Sequence, residues 1–352
     1  MANIHDGIVE VSSLCTGNGT EDHPWESPTG SAGIKEAIGC LNATTTILRF
    51  APGIYKTTGV QEIAFEDCLA PAVKADSKTI INLMQNGIRL VGYGSQIWLN
   101  GRQPMWGNER NPNRPGLLFR WSSTPQIDSN FSLFFWSFVG LNFIGDIDNV
   151  LVQFGLGKAD TIWNSCEFDI VANNGSTHDP LKSNARGLLI YRPLESRLNL
   201  VATSATGYGC VLNTAEFSAL KGSFSNAQVS ASESDGVIEN GVGLLLIDCQ
   251  SNAFTAINLE VCYYGMQWQG NTRSNTFNCI ISNNGDERGC ILKTEDVADA
   301  DQTKSNVIVT LNRRTTLQNK TRDQPFLYSY GSSPCVVSEY PVSPGVQPLC
   351  GQ

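Results

Sequence analysis

Three segments between Gly243 and Leu311 repeat one another. They are Ser251-Asn252-Ala253-Phe254-Thr255-Ala256-Ile257, Ser274-Asn275-Thr276-Phe277-Asn278-Cys279-Ile280 and Ser305-Asn306-Val307-Ile308-Val309-Thr310-Leu311. The first two start 23 residues apart and the last two 31. Gly243, Gly265 and Gly289 keep a similar beat, at steps of 22 and 24. A step near 23, with short β-branched or aromatic runs between Asn and Gly turns, predicts a solenoid of stacked β-coils. One coil of this length cannot bury its own apolar face. Stacked coils can, with Phe254, Phe277 and Ile308 in one interior column. Asn252, Asn275 and Asn306 then form a second column at the turn, where amides bond one another and the backbone. The competing fold is a β-sandwich, whose strands recur at shorter spacing.

Length alone would allow two domains in 352 residues, but a solenoid grows along one axis and escapes that rule. With 41% hydrophobic and 16% charged residues the chain has material for a core. A net charge of −9 argues against nucleic acid or an anionic membrane as the main partner. Several of the eleven cysteines stand in apolar runs: Cys166, Cys210, Cys262, Cys279 and Cys290. They make no CxxC or Cys/His zinc pattern, so they read as buried thiols of a protein that folds under reducing conditions. Cys335 and Cys350 could pair. The first residues, Met1-Ala-Asn-Ile-His-Asp-Gly, lack the basic and apolar regions of a secretion signal, and no stretch is long enough to cross a bilayer.

Residues 1–30 read as loop. Ile34, Ala37, Ile38 and Leu41 then fall at helical spacing, with Lys35 and Glu36 pointing away. A strand follows at Thr46–Phe50, then Ala51-Pro52-Gly53-Ile54-Tyr55. Residues 60–86 break the pattern and read as a loop or short helix on the side. Gly17-Asn-Gly19-Thr-Glu-Asp22, the helix, and Phe50-Ala-Pro52-Gly53-Ile-Tyr55 together resemble the opening of pectate-lyase-like right-handed β-helix proteins, among them many bacteriophage tailspikes and tail appendages. The resemblance covers about 40 residues and speaks to fold more than to chemistry. It implies an all-β, single-stranded right-handed parallel β-helix. The expected divisions are an N-terminal loop and capping helix over 1–44, the β-helix over 45–316, and an extended C-terminal tail over 317–352. The helix is expected to lay Ile34, Ile38 and Leu41 over the open end of the first coil.

β-Helix enzymes mostly act on polysaccharides, so the candidate site residues are acids and aromatics on outward faces. In Ile162-Trp163-Asn164-Ser165-Cys166-Glu167-Phe168-Asp169-Ile170, strict alternation turns Ile162, Cys166, Phe168 and Ile170 inward and Trp163, Ser165, Glu167 and Asp169 outward. Glu167 and Asp169 are candidate acid–base carboxylates, about 7 Å apart along the strand. Trp163 is a candidate sugar platform. A second acidic set is Asp248 and Glu260, with Tyr264 as a binding residue. Trp98 and Trp106 are further platforms. A lyase needs a base and a cation beside a uronic carboxylate, and His178 and Arg186 are the candidates. No calcium-binding Asp ladder, other metal site or cofactor motif is evident.

The resemblance thus implies a virion tail protein, homotrimeric, in contact with other tail proteins. It is expected to bind a host cell-surface polysaccharide and leaves open whether it depolymerises it. The alternatives are a free extracellular polysaccharide lyase or glycoside hydrolase of the same group, and a non-catalytic decoration β-helix of a virion.

Overall fold

The computed structural model describes residues 2–99, 115–124, 132–147, 149–157, 160–175, 185–204, 207–226, 242–260, 262, 264–283, 292–294, 307–313, 327–328 and 336–339. For Asn226, Glu260, Tyr264 and residues beyond 278 only the backbone is described. Among these residues the chain is mainly β, in sheets of fifteen, nine and three strands. Neighbouring strands run parallel except for the opening hairpin of Ile4–His5 with Ile8–Glu10.

Successive strands alternate between the sheets. From Val150 onward each coil lays one strand in the nine-stranded sheet (here the second), such as Arg186–Tyr191. It then crosses a short third face and lays a longer strand in the fifteen-stranded sheet (the first), such as Arg197–Ser204. Two left-handed corners make this possible. Arg192, Thr214, Asp248 and Gly270 hold the first corner of successive coils, with φ between 53° and 60°. Phe135, Ser165, Glu195, Phe217, Ser251 and Ser274 hold the second, with φ between 50° and 61°. From Arg192 onward the corners bend the strand without a long loop, so the minimal coil is short: Arg197 pairs with Ala219, and Ala253 with Thr276. The latter is the step of 23 read from the repeat.

Length varies between Phe154 and Ile162 in one coil, and more widely at the junction where a first-sheet strand leads into the next second-sheet strand. Residues 205–207 make that connection in one coil and 227–241 in the next. A glycine column marks the junction. Gly187, Gly209 and Gly243 each bring their backbone so near a neighbouring carbonyl that a Cβ would sit 2.6–2.8 Å from it. This is the physical basis of the glycine beat that the sequence shows at Gly243 and Gly265.

The interior columns form as expected. Val9, Leu48, Leu90, Phe138, Phe168, Leu198, Leu220, Phe254 and Phe277 are consecutive register partners. All are at most 2% exposed. The Phe254 and Phe277 rings stack with centroids 4.6 Å apart and planes 12° apart, and Ile308 follows Phe277 in register. Burial of each Phe contributes about 1.5–3 kcal/mol. The polar column is real as well. Asn275 Oδ1 accepts from the backbone N–H of Asn252 at 3.0 Å and from its Nδ2 at 2.9 Å, and Asn275 Nδ2 donates to the Cys249 carbonyl at 2.9 Å. Ser218 and Ser196 continue it: Ser218 N donates to Asn252 Oδ1, and Ser196 N to Ser218 Oγ. Asn306 lies outside the described residues. Asn275→Ala leaves these buried partners unmatched and is expected to cost about 2 kcal/mol. Chemical denaturation reads that loss, and an unchanged midpoint would mean the amides carry no shared load.

At the N-terminal end the helix Ile34–Ile38 buries Ile34, Ala37 and Ile38, with Leu41, in the same core as Val9 and Leu48. Lys35 and Glu36 do not simply face solvent. The preceding loop folds over them, so Glu36 accepts from Thr29 N at 2.9 Å and Ser31 Oγ at 3.1 Å, and Lys35 Nζ donates to Gln61 Oε1 at 3.1 Å. The glycines of the opening motif make room for an indole: a Cβ on Gly19 or Gly53 would lie 2.7–2.8 Å from the Trp25 ring. That ring in turn packs on Tyr55 at 4.6 Å.

Residues 60–86 are more regular than expected. Gln61–Ala64 begins the second sheet, and helices Phe65–Cys68, Pro71–Lys74 and Ser77–Asn86 follow. The last is capped by Asp76 and receives the Trp136 indole N–H on its Leu83 carbonyl at 3.2 Å. At the other end, Leu327–Tyr328 and Val336–Glu339 add strands to the second and first sheets. The ladder therefore runs into the stretch that the sequence reading assigns to the tail.

Cys166, Cys210, Cys249 and Cys262 are free and buried, and burial pushes the Cys166 and Cys249 thiols up to about 12. The side chain of Cys279 and all of Cys290, Cys335 and Cys350 lie outside the described residues. Among those residues no helix is long and apolar enough to cross a membrane.

Candidate functional site

The two large sheets differ in what they offer a ligand. The outward row of the second sheet reads Leu118, Gln153, Leu189, Val211, Leu245 and Gln267 in register. None of these is more than 7% exposed. That row is closed, while Tyr191, Tyr208 and Ile247 beside it are half-buried.

The first sheet is open. One outward row reads Arg89, Ser137, Glu167, Arg197, Ala219, Ala253 and Thr276. The next reads Glu10, Arg49, Val91, Val139, Asp169, Asn199 and Lys221. Glu167, Arg197, Asn199 and Lys221 are exposed and Asp169 is half-buried. Because the strands are parallel and in register, these side chains form straight files across the coils at about 4.8 Å per strand. Polar groups within the files bond from coil to coil. Asn199 Nδ2 donates to Asp169 Oδ1 at 2.6 Å, Thr203 Oγ1 to Asn173 Oδ1 at 2.9 Å, and Asn258 Nδ2 to Ser223 Oγ at 3.1 Å.

Glu167 and Asp169 thus share the outward face that alternation predicts. Trp98 lies on the same sheet, half-buried, with its indole N–H on Gln96 Oε1 at 3.1 Å. Its row continues through Ile144, Asn173, Thr203 and Ser225 to the backbone position of Glu260.

Other predicted residues are placed elsewhere. Trp163 is a correction: it is fully buried, not outward. Its ring lies 5.5 Å from Phe138, 5.8 Å from Phe154 and 6.0 Å from Phe168. The cause is the left-handed corner at Ser165, which divides Ile162–Asn164 on the third face from Glu167–Asn174 on the first sheet. Alternation restarts there, so counting through the corner puts the indole on the wrong side. Asp248 occupies a first-corner position and accepts from Asn271 N at 2.8 Å, tying one coil to the next. It stands at the far end of the second-sheet strand Val242–Ile247 from the junction where Glu260 and Tyr264 lie, so the structure does not bring that set together. Arg186 belongs to the second sheet, its guanidinium 5.3 Å from the Tyr208 ring centroid. Trp106 and His178 lie outside the described residues. Among those residues no group of three or more His, Cys, Asp or Glu is placed to hold a metal ion.

Sequence reasoning missed a cleft of about 420 Å³ at the N-terminal end of the open face, lined by Glu10, Arg49, Phe50, Pro52, Val91 and Tyr93. Arg49 Nε donates to Glu10 Oε1 at 2.6 Å. Tyr93 is 63% exposed, and its ring lies over Gly140, where any Cβ would overlap it. The Gly92-Tyr93-Gly94 sequence was the available signal, an aromatic in a glycine turn, with Gly94 at φ 80°.

No protein-family model matches the sequence, and no curated protein is similar to it. A solved structure, Geobacillus virus E2 ORF18, is similar with a TM-score of 0.43 and 16% identity over 94% of this chain. The match takes in 60% of that protein, so this chain spans less than two thirds of its length.

Proposed function

We propose that the chain is a single-stranded right-handed parallel β-helix of the tailspike or tail-appendage kind. In this reading it is trimeric and binds a cell-surface polysaccharide along the open face of its first sheet. The ladder topology supports the handedness, because crossovers between parallel strands are right-handed in nearly all sheets. The opening motif around Gly17–Tyr55 supports the tailspike kind. One observation carries the binding reading: registered files of carboxylates, amides and cations run across the coils on an accessible face, while the central outward row of the second sheet is buried. Such a strip offers hydrogen-bond donors and acceptors at regular intervals, which suits an extended chain of hydroxyl-bearing rings. Glu167 and Asp169 are the carboxylates we assign to acid–base chemistry if the bound polymer is cleaved.

A printed array of purified bacterial capsular and O-antigen polysaccharides tests the reading. At least one polymer is expected to be retained. Arg197→Glu, an exposed change, should weaken that binding at least tenfold without moving the melting temperature. Retention of none would end the proposal. If the retained polymer is also shortened, Glu167→Gln and Asp169→Asn should each slow cleavage about 100-fold or more; an unaltered rate removes them from the chemistry. Light scattering should give the mass of three chains, and a monomer would count against the tailspike kind.

A further inference from the structure

The second-corner column contains two residues that its backbone does not call for. Its left-handed conformation is fixed by the coil-to-coil ladder, not by its side chains. Phe135 N donates to the Asn164 carbonyl, Ser165 N to Leu194, Glu195 N to Glu216, Phe217 N to Gln250 and Ser251 N to Arg273. Three coils place Ser there and one Glu, residues at home in solvent. Phe135 and Phe217 are instead 58% and 62% exposed, at φ 61° and 50°. A bulky residue at positive φ is an outlier, and such outliers gather at ligand sites. Neither ring repays its position through the core. Among the described residues Phe135 makes a ring contact with the neighbouring Phe134 alone, at 6.2 Å, and Phe217 makes none.

We infer that Phe135 and Phe217 are two stacking platforms for sugar rings at the edge of the open face. They stand three coils apart, about 14 Å at strand spacing. Ser165 and Glu195 lie between them on the corner, and Glu167 and Arg197 follow two residues along the strands. The occupant is an extended, neutral or weakly charged glycan lying along the coil axis. Its C–H faces rest on the two rings, and its hydroxyls meet the Glu195 and Glu167 carboxylates and the Arg197 guanidinium. Mixed charge between apolar platforms fits hydroxyl groups better than a polyanion. This inference rests on the polysaccharide reading and adds the edge by which the polymer is held.

The test is the double variant F135S/F217S, which carries the residue that three other coils use at this corner. Its fold and melting temperature are expected to hold. On the same polysaccharide array it should bind the polymer retained by the wild type at least tenfold more weakly, each single variant showing part of the loss. Binding equal to wild type overturns the platforms while leaving the polysaccharide reading in place. No retained polymer for the wild type removes both. If the double variant instead converts an oligomer into single chains by light scattering, the rings belong to a contact between copies and the inference falls.

Discussion

Replacing Phe138 by alanine is expected to lower the unfolding free energy by about 3–5 kcal/mol, the range for deleting a buried aromatic ring. Phe138 is fully buried. It stacks on Phe168 at 5.3 Å with planes 13° apart, and it meets Phe154 at 4.8 Å and Trp163 at 5.5 Å edge-on. It also joins Leu90 below to Phe168 above in the longest interior column. Its neighbours belong to both large sheets and the third face, so the site cannot collapse by moving one strand. In a stacked fold each coil is stabilised mainly by the coils beside it. The loss should therefore appear as an early first phase in chemical denaturation as well as a lower midpoint. Phe135→Ser, three residues away and outward, should move the midpoint by no more than about 0.5 kcal/mol. Equal effects at the two positions would contradict the assignment of inside and outside.

Gly209→Ala should be nearly as costly, at about 3 kcal/mol, the upper end for overpacking. A Cβ at Gly209 would lie 2.7 Å from the Gly243 carbonyl oxygen, 2.9 Å from that of Ser225 and 3.0 Å from that of Ala202. All three are backbone atoms, held by ladders on two sheets, so no side chain can swing away. Relief requires the junction between the sheets to open across neighbouring coils. Gly157→Ala is the control. A Cβ there meets nothing within 4 Å, so it should be neutral or slightly stabilising. Calorimetry of the two variants reads the contrast, and similar melting temperatures would mean that the glycine column is not the closure point.

The stacking was legible in the sequence because parallel strands paired in register repeat their pattern. Phe254, Phe277 and the Asn252–Asn275 pair had to recur at the coil length to meet, and they do. The corners were not legible. One column holds Phe, Ser and Glu, the other Gly, Arg, Thr and Asp, and no residue type announces a left-handed bend when the ladder itself enforces it. That is why counting through the corner turns Trp163 outward although it is buried, whereas Glu167, just past the corner, faces out as alternation predicts: alternation holds within a strand and restarts at each bend. The acids on the open face could be proposed from alternation. Their relation to Arg197, Asn199 and Lys221 could not, since it depends on which strands become neighbours. Asp248 looked like a surface acid for the same reason, and its bond to Asn271 emerges only once two coils are stacked.

Register along the open face is the claim on which both fold and site depend, and pulsed electron spin resonance measures it directly. Spin labels carried on unnatural side chains, which spare the native thiols, would be placed in pairs at Glu167 with Arg197, with Ala253 and with Thr276. These positions are one, three and four strands apart in one row. Backbone separations of about 5, 14 and 19 Å are predicted, rising by one strand spacing per step. A Glu167–Thr276 distance above about 35 Å, or distances that do not rise in that order, would contradict the stacked coils on the scale set by that spacing.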